Sequence, residues 1–474
     1  MRNEQISAGG YGRSRRRWVV GAAAVSMAAA SLSIGSLAGA SAATTGHAKI
    51  GGSVSVWAEW TAAEETDFKA AIAPFEQSTG VTVNYQGKGS GTMDTALDTA
   101  VAGGKPPDVA FVPDPGTLDA LASEHKLQPL TPILGSLANN LGAAWNTLGS
   151  DNGKLYGLWY KGANKNTIWY NPALFAEAGI KSTPTTWQQL LTDAGTLKAA
   201  GVTPFSLCTD VGWPVADLWQ NLYLKINGAK NYNELANDTI PWTSATVTNT
   251  FDQLSGLVGK PTYLLGGTSG ALANGTYPNC VNSVFPAKGT MPTAAMVIEA
   301  DFVVSQIVTN SSTYTAGTKG KGGATCTANP AQTPCYDFFP FPAPAADKTN
   351  STALQGAGDV GMVLTSTPQA KAFIKYIASA QPGEIWAHLG GFTSPNKTVA
   401  LSSYPDPVTR ADASELVKAT SFVFSLDDLQ STAKGAWEKN LWTDMLDFVK
   451  TPTSSETKTL EPKMQTLAAK AWGK

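Results

Sequence analysis

Between residues 50 and 116, β-prone runs alternate with helical patterns, and this alternation restricts the fold more than any other feature of the chain. The runs Ser53–Trp57, Val81–Tyr85 and Asp108–Val112 are rich in β-branched and aromatic residues, and apolar residues recur at helical spacing between them. A regular alternation of strands with helices predicts an α/β domain with a mainly parallel sheet.

The loops that follow these strands are the first candidates for a ligand site. In parallel α/β sheets, ligands bind beyond the carboxyl ends of the strands. The corresponding loops here are Trp57–Trp60, Gln86–Ser90 and Pro113–Gly116. We therefore expect binding residues in and around these three segments.

Residues 1–42 have the pattern of an export signal. The basic stretch Arg13–Arg17 precedes a run of Ala, Ser, Gly, Leu and Ile that extends to about Ala40, and Ser14-Arg15-Arg16 resembles a twin-arginine motif. Small residues at Ala40-Ser41-Ala42 have the spacing that a signal peptidase accepts. This pattern predicts cleavage after residue 42 and a mature protein outside the cytoplasm.

The alternative for this segment is a retained membrane anchor through residues 19–40. That run is rich in Ser and Gly and poor in Leu and Ile, which favours cleavage over anchoring. No cysteine precedes Cys208, so we expect no lipid-modified cysteine at the mature N-terminus.

Charge and composition exclude other classes of protein. The chain has 474 residues, of which 15% are charged and 43% hydrophobic, a composition typical of a globular protein with low charge. Five of its 34 basic residues but only one of its 36 acidic residues lie before residue 43, so the remainder has a net charge of −6. That remainder contains one arginine, Arg410. A nucleic-acid partner is excluded, because phosphate binding requires clustered cations.

The cysteines predict disulfides, since an even number in an exported chain favours pairing. The four are Cys208, Cys280, Cys326 and Cys335. Cys326 and Cys335 flank a short loop and form the easiest pair to close, which leaves Cys208–Cys280 by elimination. A metal site is the weaker alternative, because there is no C-x-x-C motif and the three histidines are isolated at His47, His125 and His388.

Helix signals dominate the middle and end of the chain. A T-x-x-Q capping box joins Thr186 to Gln189, and Pro214 stands where the first turn of an apolar helix would begin. Near the C-terminus, apolar residues recur every four positions and are expected in the core; they are Trp437, Leu441, Met445 and Val449.

Several segments, in order, resemble the extracellular solute-binding proteins of carbohydrate ABC importers, a family that includes maltose- and α-glucoside-binding proteins. The segments are Ala73–Val83, Gly103–Val109, Gly153–Leu158, Trp169–Phe175 with Ala178–Ile180, Pro184–Trp187, Gly212–Asp217, Ala294–Phe302, Tyr336–Pro342 and Gly391–Lys397. The α-glucoside branch is the nearest through Lys161–Lys165 and Gly212-Trp213-Pro214. Where that branch usually has a His-Arg-Gln type of stretch, this chain has Glu299-Ala300-Asp301.

The resemblance implies a two-lobed periplasmic-binding-protein fold, similar to type II, with a hinge and an interlobe ligand cleft. Carried onto this sequence, lobe one is residues 50–162 plus 342–385, and lobe two is residues 163–341 plus 386–474. The resemblance further implies that a monomer binds a sugar, either an α-glucoside, as in the α-glucoside branch, or another oligosaccharide. The protein is then expected to close around the sugar and to be recognised by ABC permease subunits. No cofactor or metal is implied.

A pyranose presents an apolar C–H face and a rim of hydroxyls, so its site needs flat aromatic rings and planar polar groups. The expected aromatic contacts are Trp57, Trp60, Trp213 and Phe392; the expected acceptors are Glu59, Asp114, Asp217, Glu299, Asp301 and Asp359; the expected donors are Lys88, Lys161 and Asn164. Trp159 and Tyr160 fit a buried strand equally well. Each carboxylate has an alternative role as a helix cap or a solvated loop residue.

Two other functions are weighed against sugar binding. A secreted glycoside hydrolase needs two carboxyls across a sugar, and no paired motif stands out. A serine hydrolase is excluded further by the absence of G-x-S-x-G. A cell-wall or adhesion module would lack a closable cleft. We therefore expect a binding protein that is not an enzyme and has no catalytic residues.

Overall fold

The computed structural model describes residues 49–89, 91–310, 315–316, 335–344, 349–419, 421–428 and 437–471. The expected signal at residues 1–42 lies outside these ranges. The strands are β1 (Ser53–Ala58), β2 (Thr82–Gly87), β3 (Val109–Val112), β4 (Ser150–Asp151), β5 (Lys154–Leu155), β6 (Gly157–Asn164), β7 (Thr167–Tyr170), β8 (Met296–Ile298), β9 (Thr315–Ala316), β10 (Cys335–Pro340), β11 (Leu354–Val363) and β12 (Phe422–Phe424).

The same ranges contain helices of 4 to 24 residues. They are α1 (Ala62–Thr79), α2 (Met93–Ala102), α3 (Pro115–Ser123), α4 (Thr131–Leu134), α5 (Ala143–Leu148), α6 (Pro172–Glu177), α7 (Trp187–Ala199), α8 (Trp213–Ala236), α9 (Ala245–Val258), α10 (Gly267–Asn274), α11 (Asn279–Val284), α12 (Val303–Asn310), α13 (Pro368–Ile377), α14 (Ala380–Leu389), α15 (Pro407–Lys418), α16 (Trp437–Lys450) and α17 (Ser454–Ala471). Among these described helices, none is both long and apolar enough to cross a bilayer.

The first sheet has the order β12-β11-β3-β1-β2, and β6 also pairs with β11. The β1–β2 and β1–β3 pairs are parallel, which confirms the expectation from the alternating strands and helices. The long strand β11 is antiparallel to β3 and β6 and parallel to β12, so the complete sheet is mixed. The buried-strand alternative for Trp159 and Tyr160 is confirmed, because both lie on β6.

The second sheet has the order β8-β7-β10-β9. Its β7 strand is antiparallel to both β8 and β10. The chain therefore passes from the first sheet to the second within a few residues, because β6 ends at Asn164 and β7 begins at Thr167. It returns between β10 and β11.

Helices pack on each sheet to form separate hydrophobic cores. The first core surrounds the first sheet and includes Val54, Phe68, Phe111 and Trp386. The second core, built mainly by α7, α8, α9, α16 and α17, includes Trp187, Trp219, Phe251 and Met445. A third core joins α11, α12 and the second sheet through Trp169, Val281 and Ile307.

The predicted lobe boundary between residues 385 and 386 needs correction. It divides α14, whose Trp386 is completely buried in the first core. The following segment also packs there, through Phe392, Val399 and Tyr404. These apolar side chains place α14 and the segment up to Tyr404 with the first sheet rather than with the second.

The local helix signals have the expected geometry. The Thr186 side chain accepts a hydrogen bond from Gln189 N at 3.2 Å, and Gln189 Oε1 accepts one from Thr185 N at 3.0 Å. Pro214 lies in the first turn of α8. Leu441, Met445 and Val449 are buried along α16.

A disulfide joins Cys208 to Cys280, which confirms this predicted pair. The other predicted pair, Cys326–Cys335, includes Cys326, which lies outside the described residues.

Candidate functional site

A cavity of about 280 Å³ lies at the carboxyl ends of the first sheet. Glu59 follows β1, Gly91 belongs to the turn after β2, and Pro113 follows β3; all three line the cavity. The place that the strand order indicated for a ligand is therefore the place where the described residues form this cavity.

Strands β6 and β11 form the floor of the cavity, which we define as Lys161, Ala163, Ala357, Gly358 and Asp359. Lys161 and Asp359 are partners in the antiparallel β6–β11 pairing. Gly358 is required by this pairing, because a Cβ atom there would lie 2.5 Å from the carbonyl oxygen of Lys161. The floor thus presents one ammonium and one carboxyl group beside a flat strip of backbone.

Hydrogen bonds and ion pairs hold these two polar groups in place. Trp60 Nε1 donates to Asp359 Oδ2 at 2.9 Å, and Lys161 Nζ forms an ion pair with Glu64 of α1. Burial opposes the charge of Lys161, but the Glu64 and Asp359 carboxylates keep the pKa of Lys161 above its ordinary value. Lys161 is therefore a permanent cation.

Glu59 stands over the same floor and forms a hydrogen bond with Asp359. Burial, reinforced by the Asp359 and Glu64 carboxyls, raises the pKa of Glu59 well above its ordinary value. Burial likewise raises the pKa of Asp359. Two carboxyl groups in direct contact favour sharing one proton, so the pair can both donate to and accept from a hydroxyl group.

Four aromatic side chains and one acidic residue form the wall of the cavity, which we define as Asp210, Trp213, Tyr277, Phe302 and Trp442. The ring centroids of Trp213 and Phe302 are 6.0 Å apart, and those of Tyr277 and Phe302 are 5.5 Å apart. These rings provide the apolar surface that a sugar face requires.

Trp213 reaches the wall because α8 begins in close contact with α16. Gly212 has a φ of 111°, in the left-handed region that favours glycine, and a Cβ atom there would lie 2.4 Å from the carbonyl oxygen of Trp442. Gly212 thus allows Trp213 and Trp442 to line the same cavity.

Lys165 connects the wall to the chain crossing between the two sheets. Its Nζ lies 2.9 Å from Asp217 Oδ2 and 3.5 Å from Asp428 Oδ2, and 5.7 Å from the centroid of the Trp213 ring. Burial opposes its charge, but the Asp217 and Asp428 carboxylates keep the pKa of Lys165 well above its ordinary value. Lys165 therefore supports the Trp213 ring by a cation–π contact.

The disulfide lies behind this wall. Cys208 precedes Asp210 by two residues, and Cys280 follows Tyr277 by three. The same two segments are joined by the hydrogen bond from Thr209 N to the Gly275 carbonyl oxygen at 2.7 Å. The disulfide consequently ties together the two segments that supply Asp210 and Tyr277.

Of the residues expected from the sequence, the cavity brings together Glu59, Lys161, Trp213 and Asp359. The others lie elsewhere. Trp60 and Phe392 correct the expectation of sugar platforms: both are buried in the first core, each with its ring 5.0 Å from that of Trp386. Their apolar rings fill the interior instead of facing a loop.

Trp57 and Lys88 interact with each other outside the cavity lining, with Lys88 Nζ 3.8 Å from the Trp57 ring centroid. Asp114 is buried at the start of α3 next to cavity-lining Pro113. Asp217 does not line the cavity and acts through Lys165. Glu299 is also buried outside the cavity lining, where its carboxyl group is influenced by Asp217. The backbone oxygen of Glu299 accepts a hydrogen bond from Trp169 Nε1 at 3.1 Å.

Asn164 and Asp301 belong to a buried polar network at the chain crossing rather than to the cavity lining. Asp301 Oδ1 accepts from Asn164 N at 3.1 Å, and its other oxygen accepts from the Thr393 hydroxyl. Asp412 Oδ1 accepts from Asn164 Nδ2 at 2.9 Å. Burial and the adjacent Asp301 raise the pKa of Asp412 well above its ordinary value, so Asp412 donates its proton to Asp301. The network joins β6, the segment after β8, residue 393 and α15.

Sequence reasoning missed most of the wall and several other lining residues. The missed wall residues are Asp210, Tyr277, Phe302 and Trp442, and the others are Glu64, Asp94, Lys165 and Asp428. Lys165 and Phe302 stand inside segments that carried the resemblance, so their positions were accessible signals. Tyr277 and Trp442 follow no strand and lie far apart in the chain, and only tertiary packing brings them together.

Known proteins resemble this chain over most of its length. Residues 62–384 match the family described as bacterial extracellular solute-binding protein. The osmoprotective compounds-binding protein GgtB of Synechocystis sp. is 28% identical over 392 residues, which cover 81% of this chain and 86% of that protein. The alpha-glucosides-binding periplasmic protein AglE of Rhizobium meliloti is 27% identical over 427 residues, with 87% and 86% covered.

Solved structures share the fold. A chitin oligosaccharide binding protein superposes with a TM-score of 0.71 at 22% identity, covering 89% of this chain and 99% of the other. The bacterial solute receptor AcbH, whose structure is described with an exclusive preference for β-D-galactopyranose, superposes with a TM-score of 0.72 at 18% identity, with the same coverage. These two-lobed neighbours show a two-lobed α/β fold for this chain.

Proposed function

The chain belongs to the family of bacterial extracellular solute-binding proteins, and from this premise we propose that it binds a sugar outside the cytoplasm and delivers it to an ABC permease. The single observation that carries the proposal is the cavity itself, in which aromatic rings at Trp213 and Phe302 face polar groups at Glu59, Lys161 and Asp359. A pyranose needs this combination of an apolar face and a polar rim.

Two relatives are named for the compounds that they bind. AglE is an alpha-glucosides-binding protein, and GgtB is an osmoprotective compounds-binding protein. We therefore propose an α-glucoside or another oligosaccharide as the sugar class. Catalysis is not part of the proposal, because the family and its neighbours are binding proteins.

Closure of two lobes is the proposed mechanism. The first lobe comprises the first sheet with its core, and the second comprises the second sheet with the other two cores. A ligand that touches both the floor and the wall makes its full set of contacts only when these lobes are closed, so binding shifts the population towards the closed form. The permease would recognise that form, and the binding protein would act as a monomer.

Thermal unfolding in the presence of sugars tests the binding function. The probes are glucose, galactose, maltose, trehalose, sucrose and raffinose, followed by calorimetry with each sugar that raises the unfolding midpoint. A ligand at 100 times its dissociation constant stabilises the protein by about 2.7 kcal/mol. The absence of any shift across the set would contradict the proposal, and release of reducing sugar from the oligosaccharides would instead favour a hydrolase.

The proposed location is the periplasm or the cell surface, reached through the export signal at residues 1–42. Mass spectrometry of the protein exported by its native host should find a mature chain that begins near Ala43. Recovery of peptides that contain Met1 or Arg13 would favour a retained anchor.

A further inference from the structure

The charge of the cavity is strongly unbalanced. Among the described residues, its ionisable lining comprises six carboxyl groups and two ammonium groups, which are Glu59, Glu64, Asp94, Asp210, Asp359 and Asp428, with Lys161 and Lys165. The side chains nearest a bound molecule therefore carry a large excess of acidic groups.

Both lysines already have carboxylate partners. Lys161 forms an ion pair with Glu64, and Lys165 lies between Asp217 and Asp428. Their side chains are almost completely buried, with 6% and 10% of the side-chain surface exposed. An anionic ligand would have to compete with these partners for either cation, and the released carboxylate would remain buried without a counter-charge.

The Glu59–Asp359 pair adds a second obstacle to an anion. These two carboxyl groups are hydrogen-bonded over the floor, and Lys161 is a cation that acts on both of them. The pair keeps one negative charge when it shares one proton, so a ligand carboxylate placed against it would meet like charge. A hydroxyl group can pair with both carboxyls, and an ammonium group gains from the excess acid.

From this charge arrangement we propose that the site selects sugars by charge, accepting neutral and amine-bearing sugars and rejecting sugar acids, and that Glu59 and Asp359 impose the selection. The inference rests on the proposed sugar-binding function and deepens it. The six lining carboxyls come from several separate segments of the chain, so acidic groups surround the cavity instead of lying together at one edge. Unfavourable pairing with the wrong ligand is a general source of specificity.

Calorimetry with matched derivatives of one sugar tests the proposal. The parent is whichever of glucose, galactose, maltose, trehalose, sucrose and raffinose binds most tightly. It is compared at pH 7 with its 6-carboxylate and its 6-amino-6-deoxy derivative. We expect the carboxylate to bind at least tenfold more weakly than the parent, and the amine to bind within tenfold of the parent or more tightly.

Variants identify the residues responsible. The double variant Glu59→Gln with Asp359→Asn should narrow the affinity gap between parent and carboxylate at least threefold, because it removes the negative charge that one shared proton leaves on the pair while keeping the side-chain shapes. Glu65→Gln is the matched control: Glu65 lies on α1, pairs with Lys69 at the surface and does not line the cavity, so the gap should stay unchanged. Circular dichroism verifies that both variants are folded.

The outcomes are distinguishable from one another. If no neutral sugar binds, the proposed function is wrong and the charge proposal falls with it. If a neutral sugar binds and the dissociation constant of its carboxylate derivative lies within tenfold of that of the parent, only the charge proposal is overturned. Equal losses for the carboxylate and the amine would assign the effect to the altered C6 group and would also overturn the charge proposal. An unchanged gap in the Glu59→Gln, Asp359→Asn double variant would overturn it as well.

Discussion

Trp213 and Trp60 illustrate at the residue scale how a similar local setting leads to different roles. Both were expected at element ends, yet Trp213 lines the cavity while Trp60 is 1% exposed. The Trp60 ring lies 4.8 Å from that of Phe68 and 5.1 Å from that of Phe111. Its indole N–H serves Asp359, so Trp60 supports the floor from below.

Trp213→Ala should weaken sugar binding by about 2 to 4 kcal/mol, roughly 30- to 1000-fold, because it removes a hot-spot ring from the wall. The free energy of unfolding of this variant without ligand should fall by much less than the roughly 3 to 5 kcal/mol that deletion of a core tryptophan costs. Calorimetry and urea unfolding measure the two effects.

Trp60→Ala is the natural contrast for this variant and should show the larger loss of stability. If Trp213→Ala instead loses stability while keeping its affinity, Trp213 is a packing residue and the binding surface lies on the floor side, around Glu59.

At the scale of elements, the Asp301–Asp412 network should make stability depend on pH. Burial raises the pKa of both carboxyls, so the folded pair holds a proton that the unfolded chain releases above about pH 4. The folded state then binds more protons than the unfolded state. The stabilisation from this pair is complete below about pH 4 and is lost as the pH rises.

Two amide variants separate the roles of these carboxyls. Asp412→Asn retains a donor towards Asp301 and should be tolerated, with a weaker decline of stability at rising pH. Asp301→Asn places an amide N–H₂ against groups that donate to Asp301, at a cost of about 1 to 3 kcal/mol. Urea unfolding at pH 5 and pH 8 is the measurement, and equal losses in both variants would contradict the assigned donor and acceptor.

The disulfide acts on two elements together, since it joins the segment before α8 to α11 across 72 residues. By the loop-entropy relation, Cys208→Ala with Cys280→Ala should cost about 4 kcal/mol of stability. We also expect lower sugar affinity in the folded variant, because Asp210 and Tyr277 lose their covalent connection. Urea unfolding and calorimetry check these effects; unchanged affinity would limit the disulfide to a stabilising role.

At the scale of the whole molecule, ligand binding should reduce the radius of gyration in solution scattering. Closure brings the wall towards the floor, and a bound sugar stabilises that arrangement. The same sugar concentration should leave Trp213→Ala less compact than the wild type. An unchanged radius at saturating sugar would indicate a preformed site and exclude closure as the signal to a permease.

The sequence predicted the first sheet better than the cavity. Strands such as β1 and β3 carry local patterns that need no knowledge of the rest of the chain, and their order indicates where a ligand binds. The wall is different, because Tyr277, Phe302 and Trp442 come from separate segments. The reassignment of α14 has the same origin: whether Trp386 belongs to one core or another is decided by long-range packing.

Gly358 has a consequence for how this binding site can change. Its missing side chain leaves room for the Lys161 carbonyl, so any larger residue would disturb the β6–β11 pairing before it reshaped the cavity. Position 358 is thus closed to variation, whereas the wall residues Trp213, Tyr277 and Phe302 line the cavity from outside this strand pair. A mutant library intended to redirect ligand choice should randomise those wall positions and keep Gly358. Natural sequence change among descendants of this protein should likewise be tolerated at the wall positions and not at the glycine.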